Sequence, residues 1–524
     1  MKYKVFYKSL FICWVMVAAF AISCHRDLDK TDPSRPTLEG YFKNSDELLR
    51  GTNAIYSVVR SASLVAREWY FLHDLRSDEV KAGGGQLELV RRQIWEGNIT
   101  PANAVMQDNW FGWYTTIHRA NTVIKNAANV EDNPALRDRC VAEAKFFRGW
   151  AYFELVSLWG PVPLYTEPVT SPTDFQPRAA EDVIYDQIER DLNEAAEGLP
   201  VSYSGGEDLG RATKGAAYAM LGRALMQRGD YQGARTALLK VVDLNVYKLV
   251  DNYMDNFLEE TEFNEESILE IAFFDRGDNS FNWGYTGDGS GESPATVRNQ
   301  EYCPVAWRNL IPSEKYMANF EHEDKDDDKT DPRIGMSVYF EGDTYNNGNS
   351  ILTAAEQNGE KVLFNGDSLK ISWRKFMLIY KMSNDEAQFH PGGNNQRIIR
   401  YAEVLLNLAE CENELENPTE AVKYLNAVRD RASVAMPHYP TDNWPVSNKL
   451  EIQRAIMHEK WAELGGEQIR NRDILRWRKK GYFAVEPIPY YNPGRDGLLP
   501  IPQQEIDNNP ELGSGGIPPQ NPNY

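Results

Sequence analysis

The residues in this chain that come nearest to catalytic sets each lack a necessary member. His458 and Glu459 open an H-E pair, but a zinc-binding HExxH needs a second histidine where Ala462 stands. The glycine-rich run 287–291, Gly-Asp-Gly-Ser-Gly, lacks the GxGxxG frame and strand-to-helix setting of a phosphate cradle, and reads as a loop. Ser204-Gly205 and similar pairs do not complete the GxSxG elbow of a nucleophilic serine. In the acidic run 322–331, Asp324, Asp326 and Asp328 alternate like the first ligands of a calcium loop. Lys329 then stands where the turn needs glycine, and Gly335 where a bidentate glutamate is needed. That run reads as solvated charge, with a metal on the three aspartates as the weaker alternative. Glycoside hydrolysis needs two carboxylates about 5–10 Å apart, and among 77 acidic residues sequence spacing cannot single out a pair. No motif asks for a cofactor, so a binding role takes precedence over an enzymatic one.

The start of the chain carries a different kind of chemistry. Lys2, Lys4 and Lys8 precede an apolar run from Leu10 to Ile22, followed by Ser23, Cys24 and an abruptly polar stretch. The run fits the apolar core of a secretory leader and is too short to span a bilayer. Ala21-Ile22-Ser23-Cys24 resembles the lipobox of a bacterial lipoprotein, which implies a leader over 1–23 and lipidation of Cys24. Several acyl chains, at about 0.8 kcal/mol per buried methylene, anchor a protein without a transmembrane helix. Residues 24–37, with Pro33 and Pro36, then read as a tether. Loss of the three lysines of the leader takes the net charge from −21 to −24, which repels phosphate backbones and argues against a nucleic-acid ligand. Of five cysteines, Cys140, Cys303 and Cys411 remain, an odd and widely spaced set that suggests no disulfide framework.

The elements that must position any site are helical. Residues 214–244 fit a tetratricopeptide unit: Tyr218, Leu221, Gly222 and Leu225 line one helix, Gly229 and Tyr231 form the turn, and Ala234, Leu238 and Val241 line the second. Residues 401–432 repeat the pattern with Leu405, Leu408, Ala409, Ala421, Leu425 and Val428, and Asn417-Pro418 reads as cap and first-turn proline. Helical spacing also marks 108–127, 140–160 and 181–200. The expected organisation is one domain over 38–524, with helical pairs at about 104–244 and 398–433. Between them, about 245–397, lies an irregular insertion with β-like pieces at 267–274 and 370–380. Glu463, Glu467, Arg470 and Asp473 recur at the spacing of charge pairs along a helix face, a structural role.

Several ordered motifs make the chain resemble the SusD/RagB family of glycan-binding outer-membrane lipoproteins of Bacteroidetes. They are Trp110, Tyr114, Ile117 and Asn121; the block AEAKFFRGWAYFELVSLWGPVPL at 142–164; RYAEVLLNLAE at 400–410 and LNAVRDRA at 425–432; IMHEKWAELGGEQIRNRDILRW at 456–477; LLPIPQQEIDNNPEL at 498–512; and the closing QNPNY. Lys460, Gln468 and Asn471 depart from the arginine, glycine and aromatic that the family carries. The resemblance implies a mainly α, tetratricopeptide-like scaffold. It also implies a surface-exposed lipoprotein that binds oligo- or polysaccharide and passes it, uncleaved, to a SusC-like TonB-dependent outer-membrane transporter. A lipid-anchored repeat scaffold for protein or peptide is the alternative, and a glycosidase the weaker one.

A sugar ring offers an apolar face and a polar rim, so its site wants open aromatic planes beside hydrogen-bonding groups. Phe281-Asn282-Trp283-Gly284-Tyr285 lies in a Gly- and Asn-rich loop composition, and Trp307 follows. For Trp283, Tyr285 and Trp307 platform and core both stay open, while Phe273 and Phe274, ending an alternating apolar run, read as core. The family also draws ligand contacts from the segment between its first long helices. That adds Trp69 and Tyr70 as platforms, Arg76, Asp78 and Glu79 as hydroxyl partners, and Trp95, near the place where relatives carry a binding aromatic.

Overall fold

The computed structural model describes residues 41–171, 173–277, 281, 294–322, 329–388 and 391–524. Tyr285, Trp283 and Asp324, Asp326 and Asp328 lie outside them, as does Cys24. The longer helices are α1 (Ser45–Val59), α2 (Glu68–Asp74), α3 (Leu89–Trp95), α4 (Ala104–Asn126), α5 (Pro134–Trp159), α6 (Glu181–Gly198), α7 (Lys214–Arg228) and α8 (Tyr231–Asp243). After a short α9 (Arg298–Tyr302) come α10 (Tyr401–Glu414), α11 (Pro418–Arg429), α12 (Lys449–Leu464) and α13 (Arg470–Lys479). Packing follows chain order: α4 on α5, α5 on α6, α6 on α7 and α7 on α8. Helix α8 then meets α10, and α10 and α11 both pack on α12. The fold is mainly α and tetratricopeptide-like. No helix among the described residues is long and apolar enough to cross a membrane.

Local chemistry sets the hairpins. Thr213 accepts the Ala216 N–H at 3.1 Å to start α7, and Gly229, at φ 98°, ends it in the left-handed region open to glycine. Asp230 accepts the Gly233 N–H at 2.9 Å and opens α8. A Cβ on Gly222 would lie 2.5 Å from Leu238 Cδ2, so only glycine lets these helices approach so closely. Leu221, Leu225, Leu238 and Val241 are buried at this seam. Tyr218 is half-buried instead, with the Lys240 ammonium 4.8 Å from its ring centre. In α11 Pro418 takes the first turn as expected, but the Asn417 side chain does not cap the helix; it donates to Glu412 at 2.8 Å.

Two antiparallel strand pairs hold the irregular stretch. β1 (Val80–Ala82) pairs with β3 (Leu310–Pro312), and β2 (Ser267–Ile271) pairs with β4 (Gln396–Arg400), Ile271 opposite Gln396. The piece expected to be strand-like at 370–380 is extended only at Ser372–Trp373 and ends in a short 3-10 turn at Leu378–Tyr380. Cys140, Cys303 and Cys411 are buried free thiols.

The charges of the 456–477 block are arranged differently from the expected pairing along a helix face. The helix breaks after Leu464, and its acids pair with cations far away in sequence. Arg333 meets Asp331 at 2.7 Å, Glu459 at 2.6 Å and Glu463 at 3.0 Å, with every partner fully buried. Arg400 meets Glu266, Glu463 and Glu467 at 2.6–2.7 Å. Arg431 joins Glu266 and Glu463, Arg429 joins Glu321 and Glu459, and Lys375 joins Glu467. Arg470 pairs with Asp78, and Asp473 with Lys460 and Arg476. The central cluster sets five cations against six carboxylates. Burial pushes the Glu321 carboxyl above the usual range in spite of Arg429, which eases that imbalance.

Gly465, Gly466 and Gln468 form the break between α12 and α13. Gln468 has φ 61°, the left-handed conformation that accounts for a glycine in relatives. Its amide offsets the strain by donating to Asp74 at 2.9 Å and to the Gly466 carbonyl at 3.1 Å.

Two stability predictions follow from this packing. Leu221, 3% exposed at the α7–α8 seam, should cost about 2–5 kcal/mol when cut to alanine, measured by urea unfolding. A change below about 0.5 kcal/mol would exclude close packing there. The second concerns acid. Burial would raise the Glu459 carboxyl, but Arg333 and Arg429 hold it at about 2; Glu463 is likewise lowered by Arg431, Arg400 and Arg333. A depressed folded pKa gives stability that is complete above the unfolded value of 4.5 and lost as pH falls toward 2. The melting temperature should therefore hold from neutral pH to about 5 and drop steeply below 4.5. Glu463→Gln should cost about 3–5 kcal/mol at pH 7, with a smaller difference from wild type at pH 3.

Candidate functional site

Trp307 is half-buried and stands on the most heavily braced loop that carries a candidate aromatic among the described residues. It follows α9 on the loop leading into β3, and its N–H is held by the Gln300 carbonyl at 3.1 Å. The next residue, Arg308, takes φ 51° and sends a fully buried guanidinium beneath the surface. That group donates to the carbonyls of Asn358 (2.5 Å), Glu360 (2.8 Å) and Ile371 (2.8 Å) and to Ser372 Oγ (2.7 Å). Asn358 returns a hydrogen bond to the Ala306 carbonyl at 2.6 Å. The loop is thus bolted to the segment 358–361.

A third segment joins through close backbone approach. A Cβ on Gly84 would lie 2.1 Å from the Trp307 carbonyl oxygen, and one on Gly359 would lie 2.0 Å from that of Gly83. Gly83 N–H donates to Asn309 at 2.9 Å, and Glu360 N–H donates to Gly83 at 2.8 Å. The Gly83-Gly84 pair and Gly359 therefore exist to let three backbones touch. On the segments that meet at the half-buried Trp307, Gln86, Asn358, Glu360 and Lys361 are exposed. This joins the two regions that the sequence put forward separately, 67–86 and 273–307.

The face rests on a buried ion cluster. Arg67 bonds Glu301 at 2.8 Å and Glu88 at 3.0 Å, and Arg91 bonds Glu88 at 2.7 Å. Asn309 donates to the other oxygen of Glu301 at 2.7 Å. Burial raises the Glu301 carboxyl, opposed by Arg67 and Arg91.

Not every candidate from the sequence reaches this face. Trp69 and Tyr70 are 2% and 0% exposed; Trp69 packs on His73 with ring centres 5.0 Å apart, and Tyr70 on Tyr302 at 5.3 Å. Neither ring can serve as a platform, because α2 carries them into the core. Asp78 is also buried and is committed to Arg470 at 2.8 Å and Lys315 at 3.2 Å. Burial would raise its carboxyl, but Arg470 and Lys315 hold it below the usual range. Neighbouring Glu79 is pushed up to about 8 by burial, with its carboxyl accepting the Gly466 N–H at 3.2 Å. Both acids brace the interior and are unavailable to a hydroxyl. Arg76 lies apart, in a cavity toward the C-terminal segment. Trp95 and Phe281 are half-buried and pack against the core with part of each ring open.

One aromatic that sequence reading assigned to the core lies outside it. Phe273 is 7% exposed but Phe274 is 64% exposed. Strand-like alternation runs past β2, with Ile271 and Phe273 inward and Ala272 and Phe274 outward. Phe274 N–H bonds the Pro294 carbonyl at 2.8 Å, and Trp283 and Tyr285 fall in the sequence between these two residues, outside the described ones. The period of two was the available signal.

Comparison with known proteins agrees with this architecture. A family model described as the SusD family matches residues 265–524, and one described as "Starch-binding associating with outer membrane" matches 54–226. Two SusD-like proteins of Formosa agariphila are 25% identical over 532 residues (96% of this chain, 97% of the relative) and 27% identical over 545 residues (98% and 99%). A solved laminarin-binding SusD-like protein superposes with a TM-score of 0.73 at 26% identity, covering 92% of this chain and all of the other. Surface glycan-binding protein A of Bacteroides thetaiotaomicron, solved with laminarihexaose, gives 0.70 at 22% identity, covering 91% and 99%. From helical scaffold to closing motif, this chain belongs to the SusD family.

Proposed function

We propose that the protein is a lipid-anchored surface receptor that binds an oligo- or polysaccharide around Trp307 and hands it, uncleaved, to a SusC-like TonB-dependent transporter in the outer membrane. The observation that carries this reading is a half-buried tryptophan on a rigidly braced loop, with exposed amide, carboxylate and ammonium groups on the segments bonded to that loop. Such a surface offers a π-plane to the C–H face of a sugar and donors and acceptors to its hydroxyls. Phe274 and, from the sequence that follows it, Trp283 and Tyr285 would add further aromatic contacts along a chain of several sugar units. Family membership supports carbohydrate binding, and the laminarin and laminarihexaose of solved relatives make β-glucans the first ligands to try. Anchoring through Cys24 fits the association with the outer membrane named in the family description.

Binding is testable by retardation in gels cast with laminarin and other polysaccharides, followed by titration calorimetry on the retained glycan. Trp307→Ala should weaken affinity at least tenfold, about 1.4 kcal/mol, and Trp283→Ala and Phe274→Ala should each weaken it measurably. Trp69→Ala should instead lower the melting temperature and leave the affinity of the folded fraction unchanged. Wild-type affinity in the Trp307, Trp283 and Phe274 variants together would remove this face as the site. For the anchor, Cys24→Ala should abolish incorporation of labelled fatty acid and release the protein from membranes; unchanged label would refute lipidation there.

A further inference from the structure

The buried arginines of this protein divide sharply by how their charge is met. Arg333, Arg400, Arg429, Arg431, Arg470 and Arg476 face carboxylates. Those without an acid meet neutral acceptors: Arg308 has four, Arg178 the Pro161 and Pro518 carbonyls and Asn521, and Arg298 the Gly466 carbonyl, Gln396 and Gln468, with its Nε left unpartnered. Arg76, which is half-buried, has neither arrangement. Its one hydrogen bond is a long 3.4 Å contact from Nη2 to the Asp496 main-chain carbonyl, and its buried Nε has no partner. No carboxylate among the described residues lies within ion-pair distance of it.

Arg76 lines a half-open cleft of about 30 Å³, room for a carboxylate or sulfate head rather than a whole sugar, between the turn after α2, the end of α3, α13 and the C-terminal segment. Ile94, Ile99, Ile474 and Ile488 form its apolar side. Asn471 lines it too, on α13. The other charged groups of the wall are already engaged: Arg478 with Glu486 at 2.6 Å, and Asp496 with Arg495 at 2.5 Å and the Asn492 N–H at 2.8 Å. The hydroxyls of Tyr490 and Tyr524 donate to the carbonyls of Leu75 (3.2 Å) and Leu498 (3.0 Å) and close the wall. Gly97 lets Tyr490 sit there, since a Cβ would come within 2.3 Å of its ring.

We infer that this cavity is a binding site for a small oxyanion, a carboxylate or a sulfate, received by the Arg76 guanidinium. A desolvated cation without a counter-charge is costly. The planar fork of a guanidinium matches two oxygens of a carboxylate or sulfate, and the half-enclosed apolar wall strengthens that pairing. The two sources of such a group in a saccharide environment are a uronic acid and a sulfate. The site is separate from the Trp307 face, so its fate is independent of the glycan reading.

The test is thermal denaturation of wild type and Arg76→Gln against sodium glucuronate and against sodium sulfate, with sodium chloride holding ionic strength constant. A saturable rise in wild-type melting temperature with either anion is expected, and the responding anion identifies the source. Arg76→Gln should weaken the apparent affinity at least tenfold. No saturable rise with either anion, or equal curves for the two proteins, would overturn the proposal. Should Arg76→Gln fail to fold, modification of wild type by phenylglyoxal, read by mass spectrometry, decides the matter. Arg76 should be protected by the anion in a saturable way while exposed Arg50 is not, and absence of protection would refute the site.

Discussion

Glu463 is the point through which most of this architecture is tied together. Its carboxylate receives Arg333 from the irregular stretch, Arg400 from the end of β4 and Arg431 from beyond α11, all without solvent. A carboxylate in such a place is tolerable only because each oxygen is surrounded by donors, and each guanidinium in turn needs its acids. The arrangement is therefore an all-or-none condition on the chain. Helix α12 must present Glu459 and Glu463, the break must place Glu467, and the insertion must deliver Arg333 and Lys375. Hydrophobic seams such as Gly222 against Leu238 tolerate small shifts; a buried network of this kind does not, and it fixes the insertion to the helices in one position.

That fixed position is what makes a half-buried ring useful. Trp307 sits on a loop without regular structure, which by itself would leave the indole in many orientations. The Arg308 fork and the three-backbone contact at Gly83, Gly84 and Gly359 remove that freedom before any ligand arrives. Less ordering entropy is then lost on binding.

Much of the scaffold was legible in the sequence because helical repeats advertise themselves through local periodicity. Gly222 and Ala234 announced the close α7–α8 approach, and the Gly229-Asp230 turn signalled its own geometry. The site was harder to read for a physical reason. Whether Trp69 or Trp307 faces solvent depends on which distant segments cover it, and nothing within ten residues of either encodes that. The same holds for charge: Glu463, Glu467, Arg470 and Asp473 have the spacing of pairs along a helix face, yet Gly465 and Gly466 end the helix and send the first three to remote partners, while Asp473 keeps Arg476 on its own helix. Phe274 was misplaced for a simpler reason, since two adjacent aromatics in a strand-like run cannot both face inward.

The pairing of Ile271 with Gln396 has an evolutionary meaning. The ends of the intervening stretch leave the scaffold one strand spacing apart, about 5 Å. Any segment whose ends meet across that gap is topologically interchangeable with the one present, whatever its length, because the helical array closes without it through α8 and α10. Ligand preference can thus diversify by replacing a cassette while the helices stay as they are. The replacement is not free of conditions. An incoming cassette must bring donors equivalent to Arg333 and Lys375, or Glu459, Glu463 and Glu467 keep only Arg400, Arg429 and Arg431 as partners in the dry interior. Recombination among such proteins is consequently filtered by buried charge balance before it is filtered by the sugar bound.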